Sequence, residues 1–402
     1  MEIKSNLKEI SNKNQIPIGP FHPLLEEAEY FNLTVDGETV VDIDMDTGWM
    51  HRGHEFISEQ KSFTQSIYLV ERICGICSTS HPLAFVHALE DVDNIEIPLR
   101  ARYIRTLVGE LERIHSHLLW VGLAGHFIGY DTVWMWAWKY REPVLQMFEI
   151  ISGNRNHYGM MRVGGVGKDV DPASIPELNK ILDTLVKKMN MIAKIINDDP
   201  VLRSRLIGVG VLTKKDAIDY CAVGPTSRAS GVRGDVRKDE PIDAYDLVDF
   251  DEIITKNGDV YDKFVVRVLE TIESIKICRQ CLNKLKEIKG PFFNNVKEIS
   301  AGEGIGRYEA PRGEVFHYVR TDGTNRVVRH KVRAPSFNNI PTFQASCKGI
   351  PIADALITLA GVDPCYCCTE RAIRVSDKHN KNKKIDLLKL SRDKTLYIRR
   401  NA

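Results

Sequence analysis

Nine cysteines are spread along 402 residues, and four of them form two pairs with the spacing of metal ligands. Cys74-Gly75-Ile76-Cys77 and Cys365-Tyr366-Cys367-Cys368 each repeat C-x-x-C, so each pair can point two sulfurs at one ion. If the fold joins the two loops, four thiolates make a single site. Such soft ligands suit zinc, iron–sulfur clusters and nickel alike, and spacing alone does not choose among them. Thiol–disulfide couples use the same spacing, but the helix-and-turn setting of a redox fold is missing around both pairs. Cys367 is a further thiol inside the second pair.

Other residues with chemistry on offer are weaker signals. Cys278 and Cys281 share one face of a helical pattern, where a free thiol reads as core lining. His115, His117 and His126 do not fall on one helix face, so packing or hydrogen bonding outweighs metal ligation. Gly164-Gly165-Val166-Gly167-Lys168 resembles a phosphate loop only superficially, because Asp169 stands where Ser or Thr is needed. Those glycines read as a turn.

Composition narrows the class. Apolar residues make up 43% and charged residues 27%, which is ordinary globular material. Basic and acidic residues balance at 55 and 54, leaving no electrostatic footprint for nucleic acid. No apolar run reaches the roughly 20 residues that span a bilayer, and the first residues lack the apolar segment of a signal peptide. A cytoplasmic protein is expected, one that reaches a membrane only through partners.

The elements that must position the cysteines follow from periodicity. Residues 1–24 read as an irregular arm, held by Pro17, Pro20 and Pro23. Alternating runs at 30–35 and 39–44 flank Asp36-Gly37, a hairpin signal, and lead into His51-Arg52-Gly53-His54-Glu55. A short helix over 56–70 precedes the first cysteine loop, and another starts near Pro82. Helical spacing of apolar residues predicts long amphipathic helices over about 100–124, from Asp131 onward with Pro143 inside, from Pro176 to about 196, and over 262–288. Strands are expected at 314–319 and 325–332, and a helix at 352–360 before the second cysteine loop. The fold class is therefore mainly α with small β regions (α+β), a long-helix bundle with a peripheral β-hairpin and sheet. One domain is expected over 1–371, with the hairpin and first cysteine motif in 1–97, the bundle in 98–290, and the strands and second motif in 291–371. Residues 372–402 read as a charged extension.

Taken together, Arg52-Gly53-His54-Glu55, the stretch Arg72 to His81, Gly224-Pro225 through Arg237, Ala310-Pro311-Arg312-Gly313-Glu314 and Asp363 to Arg371 resemble the large, catalytic subunit of [NiFe]-hydrogenases. The resemblance is to the membrane-associated, energy-converting group, related to the quinone-module subunit of respiratory complex I; Gly19-Pro20-Phe21-His22-Pro23 resembles that module's loop. It implies that Cys74 and Cys365 are terminal nickel thiolates and that Cys77 and Cys368 bridge nickel to an iron carrying carbon monoxide and two cyanides. Cys367 departs from the small residue usual at its position and is left outside this set. The resemblance further implies that Glu55 starts the proton route with Cys368 as exchange group, and that Arg312 lies over the open bridging region on a loop held by Pro311. Ser336 would hydrogen-bond a cyanide and His81 would support a cysteine sulfur.

The implied reaction is the interconversion of H₂ with two protons and two electrons. Implied partners are an iron–sulfur small subunit, a ferredoxin-like carrier, membrane subunits on whose cytoplasmic face the chain sits, and maturation proteins with an endopeptidase cutting after Arg371. A non-catalytic quinone-binding module and a structural zinc protein are the competing readings.

Overall fold

Four stretches of helical periodicity form four long helices, Leu99–Phe127, Asp131–Ser152, Ile175–Asp198 and Val260–Glu287. The computed structural model describes residues 14–23 and 25–369, with 393, 395–397 and 400 beyond them. Leu99–Phe127 packs on Asp131–Ser152 and on Val260–Glu287, which in turn carries Ile175–Asp198. The extension expected at 372–402 and the cleavage point at Arg371 lie, those few positions apart, outside the described residues.

Leu99–Phe127 is not the amphipathic helix its charges suggest. Arg105, Glu110, Glu112, Arg113 and His117 are buried with the apolar residues, because each finds a charged or polar partner inside. Glu110 receives Arg113 Nε at 3.3 Å, Arg237 Nη1 at 3.1 Å, Tyr245 Oη at 2.6 Å and Ser274 Oγ at 2.6 Å. Burial opposes its charge, but the two guanidiniums prevail and hold the carboxyl at about 2. Arg228 likewise joins Glu270 and Glu309, both at 2.9 Å, and Glu270 accepts from His117 Nε2 at 3.0 Å. His115 accepts from Arg141 at 2.8 Å, so both histidines have the hydrogen-bonding roles expected of them. Cys278 and Cys281 are fully buried core residues.

Three small sheets surround the bundle. Strands β1 (Asn14–Ile18), β2 (Tyr30–Asp36) and β3 (Thr39–Asp46) form an antiparallel sheet in that order. The β2–β3 hairpin turns at Gly37, whose φ of 59° suits glycine. β1 corrects the reading of residues 1–24 as irregular: Pro17 is accommodated because β1 is an edge strand. Strands β4 (Met161–Arg162) and β5 (Gly165–Val166) make the glycine turn a short hairpin. β6 (Ala301–Ala310), β7 (Gly313–Asp322) and β8 (Val327–Arg333) form the third sheet.

Two further elements differ from expectation. The segment 56–70 is two helices, His54–Ser58 and Phe63–Val70. Ser62 and Gln65 close a capping box at the second, so the chain restarts there. β6 escapes sequence reading because Gly302, Gly304 and Gly306 weaken its strand pattern. They are needed for close approach: a Cβ at Gly304 would lie 2.0 Å from Ala88 O, and one at Gly306 1.9 Å from Ala84 O. The glycines let β6 lie on the helix Ser80–Asp93.

Candidate metal centre

The two cysteine loops meet. Cys365 Sγ lies 3.3 Å from Cys74 Sγ, 2.8 Å from Cys368 Sγ and 3.5 Å from Cys367 Sγ, and all five thiols, Cys77 included, are buried. Nothing in the chain's length dictates this, so the supports of each loop carry the explanation.

The first loop runs between the helices Phe63–Val70 and Ser80–Asp93. Glu112 reaches from the central helix to accept from the backbone N–H groups of Thr79 and Ser80 and from the Ser80 hydroxyl. It thereby satisfies donors a helix leaves free at its N-terminus. Burial pushes this carboxyl up to about 8. The second loop follows the helix Ile352–Gly361 and is anchored on a separate small core. There Phe31 packs against Phe343 and Tyr366, with ring centroids 5.8 and 5.9 Å apart. The N-terminal sheet is thus the pedestal of the C-terminal cysteines.

Arg52 staples one loop to the other, donating to Arg72 O at 3.0 Å, Ile73 O at 2.6 Å and Cys367 O at 3.4 Å. Arg312, at the β6–β7 turn beside the buried Pro311, donates to Asp363 O at 2.8 Å and Asp363 Oδ1 at 2.7 Å. Its remaining nitrogen lies 3.2 Å from Ser116 Oγ and 3.5 Å from Cys77 Sγ. Burial works against the charge, yet Asp363 and the thiols Cys77, Cys365 and Cys74 hold the guanidinium firmly protonated. Gly224, at φ 67°, abuts this turn so closely that a Cβ would lie 2.5 Å from Arg312 O. The Gly224-Pro225 segment therefore packs directly behind the arginine.

Ser336 Oγ accepts from Cys365 N at 2.9 Å, fixing the backbone of a candidate ligand. His81 Nε2 lies 3.4 Å from Cys368 Sγ. Behind it His81 Nδ1 meets His317 Nε2 at 3.1 Å, His317 Nδ1 meets His330 Nε2 at 3.0 Å, and His330 Nδ1 meets Ser58 Oγ at 2.7 Å. Ser58 donates its one hydroxyl hydrogen to Glu55 O at 2.7 Å, so it accepts from His330. With neutral rings that polarity runs inward and turns a bare Nε2 of His81 toward Cys368. Sequence reasoning missed His317 and His330. His317 alternates with the buried Val315 and Val319 in β7, and His330 stands two residues from the buried Val332 in β8, the period-two signal that could have found them.

Glu55 is placed differently from a direct sulfur neighbour. Its carboxylate pairs with Lys331 Nζ at 2.6 Å and accepts from Val332 N at 3.0 Å. It shares a cavity of about 160 Å³ with His54, Cys367 and Cys368. The carboxylate that touches a thiol is Glu27, which accepts from Cys367 N at 2.6 Å and Cys367 Sγ at 2.7 Å. Burial first, then the charge near Cys74, pushes its acidity toward the neutral form. Neighbouring Glu26 is exposed to solvent. The periodicity of 1–24 and the hairpin beyond it announced neither carboxylate.

Hydrogen bonds from Cys365, Cys367, Cys368 and Cys77 hold Cys74 well below an ordinary thiol, whereas burial pushes Cys368 well up. The thiols form one hydrogen-bonded cluster, and Arg312 Nη1 stands beside it, 3.5 Å from Cys77 Sγ. Buried convergent thiols with a fixed cation above them fit a soft metal centre.

Comparison with known proteins agrees. Residues 52–123 match the family model described as nickel-dependent hydrogenase. Residues 128–301 and 292–371 match that of the respiratory-chain NADH dehydrogenase 49 Kd subunit. Among relatives, a membrane-bound hydrogenase subunit alpha of Pyrococcus furiosus is 40% identical, covering 98% of this chain and 96% of that protein. An NADH-quinone oxidoreductase component of Herpetosiphon aurantiacus is 38% identical, covering 87% and 96%. A solved chain of an archaeal respiratory membrane complex, the membrane-bound sulfane sulfur reductase, superposes with a TM-score of 0.85 at 28% identity, covering 90% of this chain and 99% of that one. The chain belongs to the family that joins nickel-dependent hydrogenase catalytic subunits to the 49 kDa subunit of respiratory NADH dehydrogenase, and it is a hydrogenase-type oxidoreductase.

Proposed function

We propose that this chain is the catalytic subunit of a [NiFe]-hydrogenase that interconverts H₂ with two protons and two electrons. The observation that carries the reading is the burial together of Cys74, Cys77, Cys365 and Cys368 under Arg312. A quinone-binding relative has no need of these thiols, and a purely structural zinc ion has no need of the arginine or the adjoining cavity.

In this reading Cys74 and Cys365 would hold nickel, and Cys77 and Cys368 would be shared between it and an iron carrying carbon monoxide and two cyanides. When bound, that centre supplies the splitting of H₂ and the storage of its electrons. The chain's residues do the rest. Arg312 offsets thiolate charge without titrating, and Pro311 helps hold the turn that carries it. Ser336 orients the Cys365 backbone at 2.9 Å and would hydrogen-bond a cyanide. His81 faces the sulfur of Cys368, which exchanges the proton. Glu55 receives it across the shared cavity.

That role predicts that Glu55→Gln keeps its metals and lowers D₂/H⁺ exchange about 100-fold, the lower end for a positioned acid–base group. Mass-spectrometric exchange checks it. Unchanged exchange here, with loss in Glu27→Gln, moves the role to the carboxylate that contacts Cys367.

Among the described residues no second cluster of metal ligands follows the first, so electrons leave through an iron–sulfur small subunit toward a ferredoxin-like carrier. Among them no helix is long and apolar enough to cross a membrane. Attachment to the cytoplasmic face and coupled ion movement are part of the proposal; relatives that are themselves membrane-bound support the association with membrane subunits. Maturation proteins and an endopeptidase acting after Arg371 complete the proposal. Elemental and infrared analysis tests it: one nickel and one iron with bands of bound diatomics are expected, and stoichiometric zinc alone in the mature enzyme would overturn it.

A further inference from the structure

His54 stands between Gly53 and Glu55 and takes no part in the steps assigned to Glu55, His81 and Arg312. Both of its ring nitrogens are shielded from bulk solvent, and among the described residues neither has a hydrogen-bond partner. Leaving polar atoms buried and unsatisfied is unfavourable, and an apolar side chain would fill the same place without that cost. The ring lines the cavity of about 160 Å³ that also meets Glu55, Cys367 and Cys368, with His51, Ile73 and Val332 beside them. That volume takes several waters, and Phe56, a lining residue 54% exposed, brings the cavity to the surface. Burial first, then the charge of Arg52 and the neighbouring His51, hold the imidazole down to about 4. Near neutrality it is therefore uncharged, with one N–H donor and one bare nitrogen.

We propose that His54 is a proton-transfer residue that carries protons between the Glu55 carboxyl and solvent through water in this cavity. This rests on the hydrogenase reading and on Glu55 as the group that receives the proton. A water on the Glu55 side delivers a proton to the bare nitrogen, and the opposite N–H releases its own to a water on the outer side. One proton enters and one leaves, so the ring ends neutral and no electrons move. The hydrogen then sits on the other nitrogen, and rotation of the ring, a fast side-chain motion, restores the starting arrangement. Run backward, the same steps bring protons in for H₂ formation. Glu55 is engaged at both oxygens, by Lys331 Nζ at 2.6 Å and Val332 N at 3.0 Å, which leaves the imidazole as a neighbour with a donor and an acceptor to spare. The titratable and charged groups that face it are His51, Arg52, Glu55 with its partner Lys331, and the thiols of Cys367 and Cys368.

The test uses the metal-loaded enzyme and the metal-free full chain. His54→Phe keeps an aromatic ring and removes both nitrogens; nickel, iron and the infrared bands should match wild type while D₂/H⁺ exchange falls at least about tenfold. His54→Gln supplies a donor and an acceptor on two atoms that cannot pass a proton between them, so it should be as slow as His54→Phe. His54→Ala opens space for free imidazole, which should recover part of the lost exchange and leave wild type unaffected. In the metal-free chain, nitrogen NMR of isotope-labelled histidine, assigned by comparison with His54→Gln, should show the His54 ring neutral at neutral pH. Wild-type exchange in His54→Phe, recovery in His54→Gln, or an imidazolium at neutral pH overturns the relay. If His54→Phe loses its metals, the response of His54→Ala to imidazole decides, and no response overturns the proposal. A wild-type enzyme without nickel or exchange would sink the hydrogenase reading instead, with the spectra of the metal-free chain unchanged.

Discussion

Cys365→Ser is expected to fold normally yet retain almost no nickel, and its D₂/H⁺ exchange should fall below about one hundredth of the wild-type rate. Loss of residues that merely support a metal ligand costs roughly 10–100-fold in affinity or activity, and Cys365 is proposed as a ligand itself. Its backbone remains held by Ser336 at 2.9 Å, and the hydroxyl is smaller than the thiol, so the second loop keeps its path. The hard oxygen is the change that matters, because nickel held by thiolates is poorly served by an alcohol. Elemental analysis and exchange measured on one preparation check the result. Full nickel with rapid exchange would remove Cys365 from the centre.

Glu110→Ala should cost about 3–5 kcal/mol of stability, the range for breaking a buried ion pair by removing one partner. Arg113 and Arg237 would be left facing each other without the carboxylate that now receives both, and Tyr245 and Ser274 would lose an acceptor. The depression of Glu110 from 4.5 to about 2 corresponds to about 3 kcal/mol at 1.36 kcal/mol for each unit. Burial and four partners together set that figure. A carboxylate whose folded value is depressed stabilises above its unfolded value and loses that contribution as pH falls toward the folded one. The gap between wild type and Glu110→Ala should therefore be full above about pH 4.5 and narrow as pH drops toward 2. Chemical denaturation across that window measures it; a gap independent of pH would assign the loss to the cavity instead.

The two variants fail in different ways, which makes them useful together. Cys365 lies where two loops meet and contributes little to the bundle, whereas Glu110 sits inside the central helix and orders the segment carrying Arg228 and Arg237. Gly224 of that segment packs on Arg312 O, so the ion network and the arginine above the cysteines share a wall. Loss of stability at Glu110 should appear with metal content intact at permissive temperature. Loss at Cys365 should appear without a change in unfolding of the metal-free protein.

Much of the architecture was legible because helices announce themselves by local period. The four long helices, the Asp36-Gly37 hairpin and the helix before Asp363 depend on neighbours within a few residues, and sequence carries that information directly. The misreadings have equally local causes. Pro17 suggested irregular chain until an edge strand made room for it, and glycines hid β6 because their purpose is approach to another element. Charges along Leu99–Phe127 looked like a solvated face, since nothing local reveals that Arg237, Arg228 and Glu309 arrive from elsewhere to meet the helix.

The residues alone determined the ligand types, their pairing into two C-x-x-C loops and the kinship those motifs declare. Tertiary structure decided that the loops share one buried cluster, that Arg52 and Arg312 bind them together, and that Cys367 with Glu27 belongs beside them. It also decided that His81 is backed by His317, His330 and Ser58. The reason is physical: helical period and ligand spacing are set by bonds and contacts within a turn or two of chain. A metal centre is set by which distant surfaces bury one another, and that depends on packing across the whole core.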